Sequence, residues 1–197
     1  MEDLASSGQF RHLSTIAGIG VDLRYASVNN FVGRDLYSPY DCAWLHRDAA
    51  AALAQSVAWL AHARPGWTAL ILDALRPQRV QQELWDALAG TSLQMYLADP
   101  IRGSIHSFGM AIDITLLDDA GHEVDMGTGF DDMSEASHPS LEALMLARGV
   151  ITNAQVANRH LLRDAMAHGG FNGIASEWWH YDLGDRDLVR RTFRRVL

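Results

Sequence analysis

A single carboxylate inside an apolar strand constrains this chain more than any other feature. Residues 110–117, Met-Ala-Ile-Asp-Ile-Thr-Leu-Leu, alternate with the period of a β-strand. Ile112, Ile114 and Leu116 fall on one face, and Ala111, Asp113 and Thr115 on the other. A carboxylate in such a strand is costly unless it is paired or bound to a metal. Its own face offers only small neighbours, which leaves room beside it. His106 lies seven residues earlier, across Gly109, where the chain can turn and approach closely. A loop imidazole and a strand carboxylate can therefore converge on one point, and that donor pair is ordinary zinc ligation. Taken alone, the two residues read equally well as a polar loop histidine and a salt-bridged aspartate.

Glu177-Trp178-Trp179-His180 places a second imidazole and a second carboxylate between bulky aromatics. A catalytic zinc needs three protein ligands, an open position for water and a base near that water. His106, Asp113 and His180 supply the ligands, and Glu177 can supply the base. In a regular strand Glu177 and His180 would face opposite ways, so the site requires a turn or bulge between them. Without a metal the segment reads as an amphipathic edge strand with Glu177 in solvent. The His-Glu-x-x-His helix signature is absent, which excludes a thermolysin-like site.

Around these segments the pattern predicts one domain over residues 1–197. A helix is expected over 41–63, with Leu53, Val57 and Leu60 at helical spacing and Pro65-Gly66 as its stop. A buried strand over 67–75 ends at Arg76-Pro77, and a helix over 77–88 follows, with Val80, Leu84 and Leu88 every four residues. Residues 90–103 read as a surface loop. The strand over 110–117 turns at 118–121 and returns over 122–126. Helices follow over 139–148 and 152–168, the second closed by Gly169-Gly170. An aromatic strand over 176–183 and a helix over 185–196 end the chain. The one pairing predicted is antiparallel, so the expected class is α+β, an antiparallel central sheet with flanking helices.

Composition narrows the partners. Sixteen Lys and Arg against 24 Asp and Glu leave a net charge of −8, and the basic residues are scattered until residues 186–195, so no nucleic acid is expected. A chain 48% hydrophobic and 20% charged can bury a sizeable core and is not disordered. The lone Cys42 excludes an internal disulfide and a thiolate zinc cluster, and reads as a core thiol. The opening Met1-Glu2-Asp3 shows no signal-peptide pattern, and no stretch approaches the ~18 apolar residues of a membrane span. A cytoplasmic protein without a membrane partner is expected, its oligomeric state open and a homodimer included.

Ser-x-His-x-x-Gly-x-Ala-x-Asp over residues 104–113, followed by Glu-x-x-His over 177–180, resembles the zinc D-alanyl-D-alanine dipeptidases. That group includes the vancomycin-resistance dipeptidase and belongs with the D,D-carboxypeptidases and Hedgehog-type domains. The likeness extends to Asp22-Leu23-Arg24-Tyr25-Ala26 with Asn30-Phe31, to Arg76-Pro77-Gln78-Arg79, and to Met126-Gly127-Thr128-Gly129-Phe130-Asp131. It implies the Hedgehog/D,D-peptidase fold and one Zn²⁺ per chain on His106, Asp113 and His180. It implies hydrolysis of D-Ala-D-Ala by metal-activated water, with Glu177 as general base and Arg76 beside the carbonyl oxygen as it turns anionic. It further implies Asp131 near the substrate ammonium, Tyr25 beside it, and Ser104 in the substrate pocket.

Arg76 taken alone reads as a surface ion pair with Asp73 or Glu83. One departure is Leu75, where the family commonly has tyrosine; it is expected to alter the pocket wall. His122 and His138 read as solvated loop residues, and His62, His160 and His168 as helix-surface residues. Trp178 and Trp179 read as core, and the arginines of 190–195 as a solvated helix face. Two alternatives remain: a D,D-carboxypeptidase acting on longer cell-wall peptides, and a Hedgehog-like binding domain that holds metal without turnover.

Overall fold

The alternating strand is the middle of the molecule. In the computed structural model, which describes residues 4–197, it spans Ala111–Leu117 and is the third of five strands in a mixed sheet. In chain order the strands are β1 (Phe10–His12), β2 (Ile19–Val21), β3 (Trp44–His46), β4 (Thr68–Asp73), β5 (Ala111–Leu117), β6 (Phe171–Gly173) and β7 (His180–Leu183). The sheet runs β2-β4-β5-β7-β6, and β1 pairs with β3 in a separate antiparallel ribbon. Met1, Glu2 and Asp3, on which the expected absence of a signal peptide partly rests, lie outside the described residues.

The helices are α1 (Arg47–Ala63), α2 (Gln78–Ala87), α3 (Glu142–Ala147), α4 (Asn153–His168) and α5 (Arg186–Thr192). Leu53, Val57 and Leu60 of α1 and Leu162, Ala165 and Met166 of α4 are buried in the core with Ala69, Ile71, Ile114 and Leu116 of β4 and β5. This is the apolar face predicted from alternation. Ala111, Asp113 and Thr115 therefore occupy the opposite face, where the functional residues collect. Val80 and Leu84 of α2 close a second cluster with Tyr25, Leu36, Tyr37 and Cys42.

The central sheet is not wholly antiparallel, which corrects the expectation. β2 runs parallel to β4, with Ile19 opposite Ala69 and Val21 opposite Ile71. The chain leaves β2 by a long excursion through β3 and α1, and a crossover of that length is what a parallel neighbour requires. Three other expectations need trimming. The helix expected from residue 41 starts at Arg47, because Trp44–His46 is drawn into β3 and His46 caps α1 through Asp48 N–H. The return strand over 122–126 shrinks to a bridge between Leu117 and Glu123. The closing helix stops at Thr192, and the chain beyond it runs back extended, with Val196 accepting from Gln78 N–H and donating to Ser107. The loop over 90–103 contains a short 3-10 turn, Ser92–Tyr96.

Register positions the chemistry. Asp113 of β5 stands opposite His180 of β7 and opposite Asp73 of β4. Directly opposed residues of an antiparallel pair share a face with Cβ atoms ~4.5–5.5 Å apart. Asp73 reaches that face only because the register of β4 shifts between Ile71 and Asp73. Strict alternation from the core-facing Ile71 would have turned Asp73 into the helices; the bulge re-aims it.

Candidate metal centre and substrate cavity

His106 sits in a 3-10 turn, Ile105–Phe108, that ends at Gly109 with φ +66°. A side chain there would be strained, and its Cβ would lie 2.7 Å from the backbone nitrogen of His46. The glycine lets the turn press against β3 and delivers His106 beside the start of β5. His180 opens β7, and residues 178–179 form the turn before it. The turn required between Glu177 and His180 is therefore present, and both side chains reach one cavity.

Three ligand atoms meet there. His180 Nδ1 lies 2.9 Å from Asp113 Oδ1 and 3.2 Å from His106 Nε2, and His106 Nε2 lies 3.4 Å from Asp113 Oδ1. Tetrahedral ligands on bonds of ~2.0–2.1 Å stand about 3.3 Å apart, so the three atoms outline one face of a zinc tetrahedron. The outer nitrogens set the tautomers. His106 Nδ1–H donates to the Ala74 carbonyl at 2.8 Å, and His180 Nε2–H donates to Asp182 Oδ1 at 2.9 Å. In the neutral form that metal ligation requires, both imidazoles aim lone pairs inward at a carboxylate oxygen, and a cation at that point would satisfy all three. The donor set fits a divalent metal, and the outer hydrogen bonds hold the rings as ligand histidines are usually held. Among the described residues these three make the one His/Cys/Asp/Glu group whose atoms could hold an ion.

The electrostatics agree. Asp113 is buried, which opposes ionisation, but His106 and His180 hold its carboxyl well below the usual range. Burial alone would lower His180, yet the carboxylates of Asp182 and Asp113 raise it well above its ordinary value. Glu177 is half-buried with its carboxyl in the cavity, and desolvation lifts it to about 7, with the Asp113 charge adding to the rise. A carboxyl that titrates near neutrality beside a metal position is suited to taking and returning a proton.

Arg76 is not on the surface. Its Nε donates to Asp73 Oδ2 at 2.9 Å, one terminal nitrogen to Gln81 Oε1 at 3.1 Å, and the other to Asp113 Oδ2 at 3.3 Å. The guanidinium also lies over the Tyr25 ring, 4.9 Å from its centre. The ion pair with Asp73 exists, but it is buried and braces the candidate ligand Asp113. Tyr25 O–H donates to both oxygens of Asp131, at 3.1 and 2.9 Å. Asp131 adopts φ 60°, a left-handed conformation that aspartate tolerates better than most residues. Burial, reinforced by the Asp113 charge, pushes its carboxyl well above the usual value. Ser104 lines the same cavity, so all eight residues singled out in the sequence meet in one place. That cavity is about 260 Å³.

Other expectations sort as follows. Leu75 does not line the cavity; it packs fully buried with Leu4, Phe10 and Val196, so its substitution leaves the pocket wall untouched. Trp178 and Trp179 are buried as expected, Trp178 donating to Thr128 Oγ1 and Trp179 also facing the cavity. His138 pairs with Tyr96 O–H at 2.9 Å and His122 stays in solvent. Cys42 is a buried thiol pushed up to about 12 by desolvation, hence inert. The arginines of 190–195 are not all solvated: Arg190 of α5 donates to the Gly103 carbonyl and Arg195, beyond it, to those of Pro100 and Ile101. Asp73, Gln81 and Asp182 were not anticipated as parts of the site. Asp182 had a signal, since it follows His180 by two residues and shares its face.

A mixed α+β sheet carrying two imidazoles and a carboxylate on one point, with a buried proton acceptor beside them, defines a metallopeptidase. The family model described as D-ala-D-ala dipeptidase matches residues 7–196, and the chain belongs to that family. It is 42% identical over 163 residues to the D-alanyl-D-alanine dipeptidase of Escherichia coli K12, covering 83% of this chain and 78% of that one. The D-alanyl-D-alanine dipeptidase of Enterococcus faecalis is 33% identical over 184 residues, covering 85% and 87%. That of Enterococcus faecium is 33% identical over 197 residues, covering 90% and 92%. Among the described residues no helix is long and apolar enough to cross a membrane.

Proposed function

We propose that this chain hydrolyses D-Ala-D-Ala to two molecules of D-alanine, as a single-domain cytoplasmic enzyme holding one zinc ion through His106, Asp113 and His180. The observation that carries this reading is the convergence of three ligand lone pairs beside Glu177. When bound, zinc supplies Lewis-acid polarisation of the peptide carbonyl and a lowered pKa for water. The side chains supply the rest. Glu177 accepts a proton from the attacking water and returns it to the departing amine. Arg76 has its donors engaged by Asp73, Gln81 and Asp113, so it stabilises the developing oxyanion through a fixed charge and keeps Asp113 in place. Asp131, oriented by Tyr25, pairs with the substrate ammonium, the cation that restores its own charge. Ser104 forms part of the wall. The cavity, about 260 Å³, falls below the ~300–1,000 Å³ of drug-sized sites, which suits a dipeptide.

The test is zinc content together with D-alanine release from D-Ala-D-Ala, its N-acetyl form and a longer peptide ending in D-Ala-D-Ala. Acetylation leaves the Asp131 carboxylate unpaired, a loss of roughly 2–5 kcal/mol by the cost of truncating a buried charge pair. The expected drop in kcat/KM is about 30-fold to several thousand-fold. Equal cleavage of the blocked or longer substrate would replace this reading with the carboxypeptidase one. Zinc without turnover would leave a metal-bearing binding domain.

A further inference from the structure

The cavity is electrically polar from end to end. At one end a chain of direct contacts runs from Asp131 to Tyr25, from Tyr25 to Arg76 and from Arg76 to Asp113. Beyond the metal position it continues from His180 to Asp182 and from Asp182 to Arg186. Arg190 follows Arg186 by one helical turn on α5 and also lines the cavity. The first end is acidic and the second is cationic: Arg102, Arg186 and Arg190 stand there against Asp182 and Asp187. Burial first, then the charges of Arg102 and Arg186, lower the Arg190 pKa, against the opposing charge of Asp187.

The two cavity-lining arginines are not equivalent. Arg186 directs both Nε and a terminal nitrogen at Asp182 and serves the metal ligand behind it. Arg190 donates from Nε to the Gly103 carbonyl at 3.1 Å and from one terminal nitrogen to the exposed Asp187 carboxylate at 3.4 Å, a long ion pair at the surface. The anchor places its guanidinium next to Ser104 along the chain, and its side chain is only 14% exposed. A largely buried guanidinium held at Nε by a carbonyl and at one terminal nitrogen by a long ion pair with an exposed aspartate keeps its other terminal nitrogen for a carboxylate.

Resting on the dipeptidase reading, we propose that Arg190 recognises the free α-carboxylate of the dipeptide and so makes the enzyme specific for an unblocked carboxyl end. A zwitterionic dipeptide then lies along the field of the cavity. Its ammonium meets Asp131, its carboxylate meets Arg190, and the peptide bond falls between them at the metal position and Glu177. Arg190 is a specificity residue that does not touch the reacting atoms, so its effect belongs to binding more than to the proton transfers.

The experiment compares D-Ala-D-Ala with D-alanyl-D-alaninamide, whose carboxyl charge is removed, using zinc-loaded wild type, Arg190→Gln and Arg190→Lys. Wild type is expected to prefer the free acid by about 30-fold or more in kcat/KM, the scale of a lost charge-assisted pair. Arg190→Gln should collapse that preference towards one, chiefly through KM, and Arg190→Lys should retain much of it. Calorimetric binding to a Glu177→Gln background gives a readout free of turnover: the same substitution should weaken dipeptide affinity and leave affinity for the amide within about twofold. Arg190→Gln losing both substrates equally would mean a structural role and overturn the inference, as would an unchanged preference. A zinc-loaded wild type that releases no D-alanine would overturn the dipeptidase reading itself, and this inference with it. An active wild type with an indifferent Arg190 overturns only the present step.

Discussion

Burial in the folded chain desolvates the Glu177 carboxyl and raises its pKa to about 7. This has two consequences of opposite kind. In catalysis, Glu177→Gln should keep its zinc yet lower kcat by about two to four orders of magnitude, checked by metal analysis beside steady-state kinetics. In stability, an acid whose folded pKa exceeds its ordinary 4.5 favours the fold fully below 4.5 and loses that contribution as pH rises through about 7. The swing is roughly 3 kcal/mol, at 1.36 kcal/mol per pKa unit between 4.5 and about 7. Metal-free Glu177→Gln should therefore gain stability relative to wild type between pH 5 and pH 8 in urea unfolding. A difference that does not change with pH would mean that Glu177 is as well solvated folded as unfolded. Residue types and spacings singled out the candidate ligands and the candidate base that the fold brings to one cavity, because those depend on local alternation. They gave a misleading picture of Arg76, whose burial depends on Tyr25 and Gln81 arriving from elsewhere in the chain.

At the scale of elements, the metal position is a product of register. Asp113 and His180 meet because β5 and β7 pair at those residues, and Asp182 follows His180 on the same face. Asp182→Asn keeps the shape but removes the anionic acceptor behind His180, and should weaken zinc binding by about 10- to 100-fold in a chelator competition. The third candidate ligand, His106, depends on Gly109. Gly109→Ala places a Cβ against the His46 backbone at positive φ, and should cost roughly 2 kcal/mol or more in denaturant unfolding while also lowering zinc affinity. Gly121→Ala is the control: its φ is +81°, but nothing lies within 4 Å of the added Cβ. It should cost only the backbone strain, about 1 kcal/mol, and leave zinc affinity alone.

For the whole molecule, zinc would tie together a 3-10 turn, a central strand and a strand near the carboxyl end, segments that are distant in the chain. A ligand that binds only the folded state stabilises it by mass action, about 4 kcal/mol at a thousand times its Kd. Removing the metal should lower Tm correspondingly in a thermal melt, and His106→Ala should show no metal-dependent shift. The candidate site residues, the core face of β5 and the family resemblance were all legible in the sequence. Each rests on local spacing, which survives without knowledge of the neighbours. The parallel entry of β2, the bulge that turns Asp73 towards Arg76, the placing of Leu75 away from the cavity and the folding back of the arginine-rich tail were not legible. They depend on which distant segments pack together and in what register. Burial and hydrogen-bond satisfaction decide that over the whole chain at once, overriding what any single stretch would prefer.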